Sequence, residues 1–241
     1  MIKGDLRKKQ ILETAESLFT ERGYEKTGVQ DILDVLHLSK GSFYHHFVSK
    51  EQVLQQICEQ RAVRAAERLR QMSFASGVEQ MDALLRGMIP FQGEGLTFLK
   101  MILPIFVLPE GKSVVAAYQE ALKRNWASGA EEALLRMIRE GTAYTFYPRK
   151  TAEMALDLVN ALWAEIGQAI ILAEKRTREP VAAGELLAMT EPYRPAIENL
   201  FSAPYGSLEL IRLEDLKKMT LEIHHWWMID PIDPGPDGRP D

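Results

Sequence analysis

Two short amphipathic runs separated by a tight turn, between Thr27 and Gln52, constrain this chain more than any other feature of it. Val29, Ile32, Leu33 and Leu36 fall at i, i+3, i+4 and i+7, the apolar stripe of a short helix. Thr27 precedes the stripe and Gln30 lies three residues on, a pattern that predicts a capping box at the helix start. The stripe stops at Leu36-His37-Leu38, and Ser39 is a good N-cap for a second helix running through Tyr44 or His45. Two short helices joined in this way form a helix-turn-helix, whose second helix can enter the major groove of DNA. Ser49-Lys50-Glu51-Gln52 is a further capping box and opens a third helix with Lys50 as its first residue. A cation is mildly unfavourable there, and a bound phosphate would reverse the sign. By position alone, Lys50 is equally a solvated side chain or an anion ligand.

The string LSKGSFYHHFVSKEQVL, with its lead-in ILETAESLFTERGYEKTGVQDIL, resembles the DNA-reading head of TetR-family (tetracycline-repressor-like) transcriptional regulators. The likeness runs from about residue 5 to residue 55; beyond about residue 60 it is one of layout only, a long helical remainder. The family usually has Gly where this chain has His37, so His37 is expected in a left-handed conformation, which His tolerates better than most side chains. The resemblance implies that Thr27, Tyr44, His46 and Lys50 occupy positions that grip phosphate, and that Gln30 occupies a base-reading position. The predicted capping box competes for the Gln30 side chain. From spacing, Phe43 and Phe47 belong to the core, whereas Lys40, Gly41, Ser42 and His45 face outward as candidates for base-edge contact. Lys3, Arg7, Lys8 and Lys9 add a basic cluster at the leading end, either for solubility or for backbone contact.

The formal net charge of −5 argues against indiscriminate coating of nucleic acid, but a site-specific reader needs only a local positive surface. The single cysteine, Cys58, excludes an intrachain disulfide, fits a reducing cytoplasm, and reads as a small apolar side chain. No signal peptide is legible in the polar start MIKGDLRKKQ. The apolar run Leu96 to Leu108, interrupted by Lys100 and Pro104, is too short to span a bilayer.

An all-α chain is therefore expected. A first helix should cover 5–23, with Ile11, Leu12, Ala15, Leu18 and Phe19 inward; the head should end near residue 50, with a helical body over 51–228 and a disordered Pro- and Asp-rich tail at 229–241. Body helices are expected at about 49–72, 78–91, 113–140, 151–175, 185–201 and 212–226, with 96–108 buried and kinked at Pro104. In the 151–175 helix, Ala155, Val159, Leu162, Ile166, Ala169 and Ala173 follow 4-3-4-3-4 steps beside a second line of Leu156, Trp163 and Ile170. So wide a face fits either a helix wrapped by its own bundle or one buried against a second chain. The resemblance favours the second arrangement: a homodimer sealed by Ala155, Val159, Leu162, Ile166, Ala169, Ile197 and Leu200.

Enzyme patterns fail. Gly111-Lys112-Ser113 mimics the end of a phosphate-binding loop whose first Gly would fall at Phe106, and the adjacent pairs His45-His46 and His224-His225 splay apart. No metal or cofactor is called for. The remaining role for the body is binding a small-molecule effector, with Phe98, Met101, Phe106, Tyr118, Trp126, Met137, Tyr144 and Trp163 as candidate lining, though taken one at a time each reads more readily as core. The expected function is a regulator, most simply a repressor that binds a palindromic operator as a dimer and is released by the effector. The alternative is a helical interaction module whose helix-turn-helix no longer reads DNA.

Overall fold

A computed structural model describes residues 3–88, 94–107, 111–177 and 179–229. It contains helices and no strand among the described residues. The head is α1 (Lys3–Arg22), α2 (Val29–Leu36) and α3 (Lys40–Tyr44); α4 (Lys50–Arg70) then runs without a break out of the head into the body. The body continues with α5 (Gly77–Gly87), α6 (Glu94–Ile102), a 3-10 turn (Leu103–Val107), α7 (Gly111–Arg139) and α8 (Pro148–Thr177). It closes with α9 (Ala183–Thr190), α10 (Tyr193–Leu200) and α11 (Leu213–Ile229). Pro104 lies in the 3-10 turn that follows α6, Pro192 coincides with the break between α9 and α10, and Pro195 sits in the first turn of α10, where its missing donor is tolerated. The predicted tail lies outside the described residues from 230 on, and Ile229, its expected first residue, ends α11.

Helix α7 is the hub, packed against α4, α5 and α8, while α11 closes over α9 and α6. Where α5 meets α7 the backbones nearly touch: a Cβ on Gly77 would lie 2.6 Å from the amide nitrogen of Met137. The preceding loop is held from α7. The Arg136 guanidinium donates to the carbonyls of Phe74 and Ala75, and the Glu140 carboxylate accepts from the Gly77 N–H at 2.8 Å. That N–H, with Arg136 alongside, holds the Glu140 carboxyl below its ordinary range.

Helix α8 corrects the expected seam. Ala155, Val159, Leu162 and Ile166 are all buried inside this one chain, as are Leu156, Trp163 and Ile170. Ile197 on α10 is buried too, and only Ala169 and Leu200 keep partial exposure. Both apolar lines of α8 are used by its own bundle, so those five side chains have no surface left to offer a partner. The helix is long and apolar enough to cross a membrane by length and composition, which the shorter run at 96–108 had obscured; the burial of its two lines accounts for that apolarity. What α8 leaves outside is a different stripe, Met154, Leu158, Ala161, Glu165, Gln168 and Leu172, again in 4-3-4-3-4 steps.

Candidate nucleic-acid interface and body cavity

The turn between α2 and α3 is built as its residues demand. His37 takes φ 51° and ψ 46°, the left-handed cap expected of it, and its N–H donates to Asp34. Ser39 caps α3 by accepting from the Ser42 N–H at 3.3 Å. Phe43 and Phe47 are fully buried and fix the short helix to the head. Lys40, Gly41, Tyr44 and His45 consequently stand in solvent on the opposite side, with Ser42 half-buried between them. His46 is half-buried, its ring meeting that of His45 edge to face at 5.0 Å.

Three expected DNA contacts are spent elsewhere. Thr27 is fully buried; its hydroxyl donates to the carbonyls of Gly23 at 2.8 Å and Leu18 at 3.3 Å, closing the turn after α1. With Thr27 drawn inward, the cap slips one residue and only half of the box forms: Gly28 is the N-cap of α2, and its N–H donates to the Asp31 carboxylate at 2.6 Å. Gln30 is released from capping but donates to Asp34 at 2.7 Å on the exposed face. Lys50 turns into the head. Its ammonium donates to the carbonyls of Tyr24 at 2.8 Å and Thr27 at 3.0 Å, and lies 4.1 Å from the Tyr24 ring centroid. This cation thus offsets the partial negative charge of two turn carbonyls, so its position at the start of α4 need not imply a phosphate. The next capping box forms in part: Ser49 accepts from Gln52, while the Gln52 side chain reaches Val48 instead of Ser49.

Val48, which the sequence did not single out, is 76% exposed just past α3. It falls outside the spacing that buries Phe43 and Phe47.

In the basic lead-in, Arg7 donates to Gln10, Lys9 pairs with Glu13 at 3.6 Å, and Lys8 lies 5.8 Å from the Phe47 ring. Those side chains serve α1 and its packing on the recognition segment; the side chain of Lys3 lies outside the described residues.

The body holds an open cavity of about 510 Å³ between α4, α5, α6, α7 and the start of α11. Of the expected lining, Phe98 and Tyr118 are there, 2% and 5% exposed, their rings edge to face at 5.1 Å. Met101, Trp126, Met137 and Trp163 are core instead, and the Trp126 indole donates to the Leu84 carbonyl. Tyr144 is over half exposed, on the surface, and the Phe106 side chain lies outside the described residues. Arg61, Arg68, Arg86 and Arg212 also line the cavity, together with Glu79, Asp82 and Asp215. The pattern search for large apolar residues could not find these arginines, because their convergence depends on how α4, α5 and α11 meet. Cys58 is buried near this wall; burial, with Glu16 adding, pushes its thiol up and leaves it an apolar packing group.

Residues 11–57 match the family described as bacterial regulatory proteins, tetR family. The chain is 41% identical over 51 residues to the HTH-type transcriptional repressor KstR2 of Mycolicibacterium smegmatis, covering 21% of this chain and 25% of that protein. It is 29% identical over 102 residues to the HTH-type transcriptional regulator UidR of Escherichia coli (strain K12), covering 42% of this chain and 50% of that one. The matches thus span from a quarter to half the length of these curated relatives. The fold as a whole resembles a TetR-family transcriptional regulator from Pectobacterium atrosepticum, with a TM-score of 0.64 at 18% identity over 85% of this chain and 100% of that one. It also resembles RolR in complex with the ligand resorcinol, with a TM-score of 0.51 at 14% identity over 90% and 95% of the two chains.

Proposed function

We propose that this chain, whose N-terminal domain is of the TetR family, is a transcriptional regulator that binds a palindromic DNA site as a homodimer and is released from it by a small molecule. The observation that carries the reading is the face of α3. Lys40, Gly41, Ser42, Tyr44 and His45 stand together outside a head whose two phenylalanines hold the helix rigidly from within. Lys40 can donate to guanine, Ser42 to several bases, and Gly41 permits close approach of the backbone. Tyr44 and His46 remain candidates for phosphate contact, whereas Thr27 and Lys50 act by shaping the turn. Repression is supported by the name of the KstR2 relative, effector binding by the cavity and by the resorcinol complex of a protein of similar fold.

Dimerisation fits the outward stripe of α8, where Met154 and Leu172 are 44% and 43% exposed, together with the half-buried Leu200 of α10 and Ala169 of α8. A stripe of helical period left outside a finished bundle, apolar at Met154, Leu158, Ala161 and Leu172 and polar at Glu165 and Gln168, is suited to a second copy of itself.

The test is selection of a bound sequence from random DNA by the full chain, followed by affinity measurements at several salt concentrations. A palindromic consensus is expected, with affinity falling as salt rises. Lys40→Ala should cost about 1–3 kcal/mol at particular base pairs and leave other sequences nearly untouched. Selection that returns no sequence would leave the chain as an interaction module built on an idle helix-turn-helix.

A further inference from the structure

Resting on the reading that the body binds an effector, we infer that the cavity takes an organic anion, a carboxylate on a flat apolar body, and that this carboxylate competes with Glu16 of the head for Arg61. The inner wall supplies the apolar surface: Phe98, Ala65, Leu69 and Phe74 line it. Tyr118 supplies a directed donor. It is 5% exposed and lines the cavity. Burial pushes the phenol up, so it remains protonated and can donate to an acceptor that enters. Next to it stands Arg61, whose guanidinium lies 5.4 Å from the Phe98 ring centroid. A phenol donor beside a guanidinium fork is a carboxylate-recognising pair.

The carboxylates around the cavity do not reverse this preference. Asp82 accepts from the N–H groups of both Glu209 and Leu210 at 2.8 Å and pairs with Arg86 at 3.3 Å. Glu79 accepts from the Ala75 N–H at 2.6 Å. Both are thus held by backbone N–H groups of the walls, and Asp215, the third carboxylate of the lining, acts on Arg212 at the start of α11.

Arg61 is also the link to the head. Its Nε donates to the Glu16 carboxylate of α1, so one guanidinium both lines the cavity and ties α1 to α4. Away from the cavity, α6 touches α1 as well, where the Thr20 hydroxyl meets the Met101 sulfur at 3.9 Å. An anion that draws Arg61 toward Tyr118 weakens the tie to Glu16 and frees α1 to shift against α4. Arg64, 3.6 Å from the other Glu16 oxygen, keeps Glu16 paired meanwhile, so the exchange does not strand a charge.

The probes are 3-phenylpropionate, its primary amide and 3-phenylpropylamine, titrated calorimetrically into the full chain. The acid should bind, with the amide and the amine weaker by roughly tenfold or more. Arg61→Gln and Tyr118→Phe should each weaken the acid by a similar factor, with Arg61→Lys in between and folded by circular dichroism. Glu16→Gln should tighten it several-fold, which a merely structural ion pair would not do. Amide binding equal to that of the acid, or no binding of the acid even to Glu16→Gln, overturns the site. Unchanged or weaker acid binding by Glu16→Gln overturns the competition. Operator affinity is read separately: Glu16→Gln without ligand should bind the selected DNA more weakly. If it binds the acid more tightly while DNA affinity is unaltered, the anion site stands and its link to the head falls. If no DNA is bound by any form, the regulator reading falls and the calorimetric result is untouched.

Discussion

Lys50 and Thr27 show how far a residue's position can mislead about its use. Lys50 opens α4, where a helix favours anions, and its nearest charged neighbour in sequence suggests nothing inward. The carbonyls it serves belong to Tyr24 and Thr27, more than twenty residues upstream, and only the folded turn brings them to it. Lys50→Ala should therefore destabilise the head by about 1–3 kcal/mol, through loss of two charge-assisted hydrogen bonds and a cation–π contact. A thermal melt will register this, while the salt dependence of DNA binding by the folded fraction should stay as it was. A slope flattened by about one unit per subunit with no loss of stability would return Lys50 to the phosphate. Thr27 was misread for a related reason: its hydroxyl satisfies two carbonyls at the end of α1, which moved the cap of α2 to Gly28. His37 was legible through the resemblance, which has Gly at this point of the turn and so implied a left-handed residue there. His37→Gly should relieve that conformation and raise the melting temperature slightly, the gain limited to about 1 kcal/mol by the added freedom of the unfolded chain.

Elements were easier to read than their partners. Helix positions follow from stripe, cap and proline, and all the expected helices exist, with 185–201 split at Pro192. What a stripe does not reveal is whether its cover comes from the same chain. Both apolar lines of α8 pointed to burial, correctly, and the cover is α7, α9 and α10 of the same chain. The distinction has a direct test. Leu162→Glu would place a charge in this bundle without a partner and should abolish cooperative unfolding. Ala161→Glu, on the exposed stripe, should leave the fold intact by circular dichroism and shift sedimentation from dimer to monomer; an unaltered dimer would move the proposed interface elsewhere. The loop before α5 invites a second measurement. Because Gly77 and Arg136 hold the Glu140 carboxyl below its ordinary range, the stability it contributes is present above the ordinary carboxylate value and lost as pH falls through its lowered one. Hydrogen exchange of the Gly77 amide should accelerate across that acidic window relative to the rest of α5, and should do so already at neutral pH in Glu140→Gln.

At the scale of the whole molecule, the head and the body are joined by one unbroken α4, which the expected boundary near residue 50 marks only as the point where that helix begins. On α3 the outward side chains were legible, since a short helix pinned by Phe43 and Phe47 leaves few alternatives for which residues face out, whereas the inward use of Thr27 and Lys50 was not. The cavity was not, because Arg61, Arg86 and Arg212 lie on three different helices or their approaches and meet only after folding. The inward turn of Lys50, in a chain of formal charge −5, bears on how such a regulator would find its target. Every stretch of chromosome is a competing decoy, and a protein's dwell time on decoys grows steeply with the number of phosphates it neutralises. A head that keeps a conspicuous lysine for its own turn forgoes part of that indiscriminate grip. For the regulator proposed above, fewer copies would then be parked on irrelevant sequence, and a smaller cellular population would keep one operator occupied.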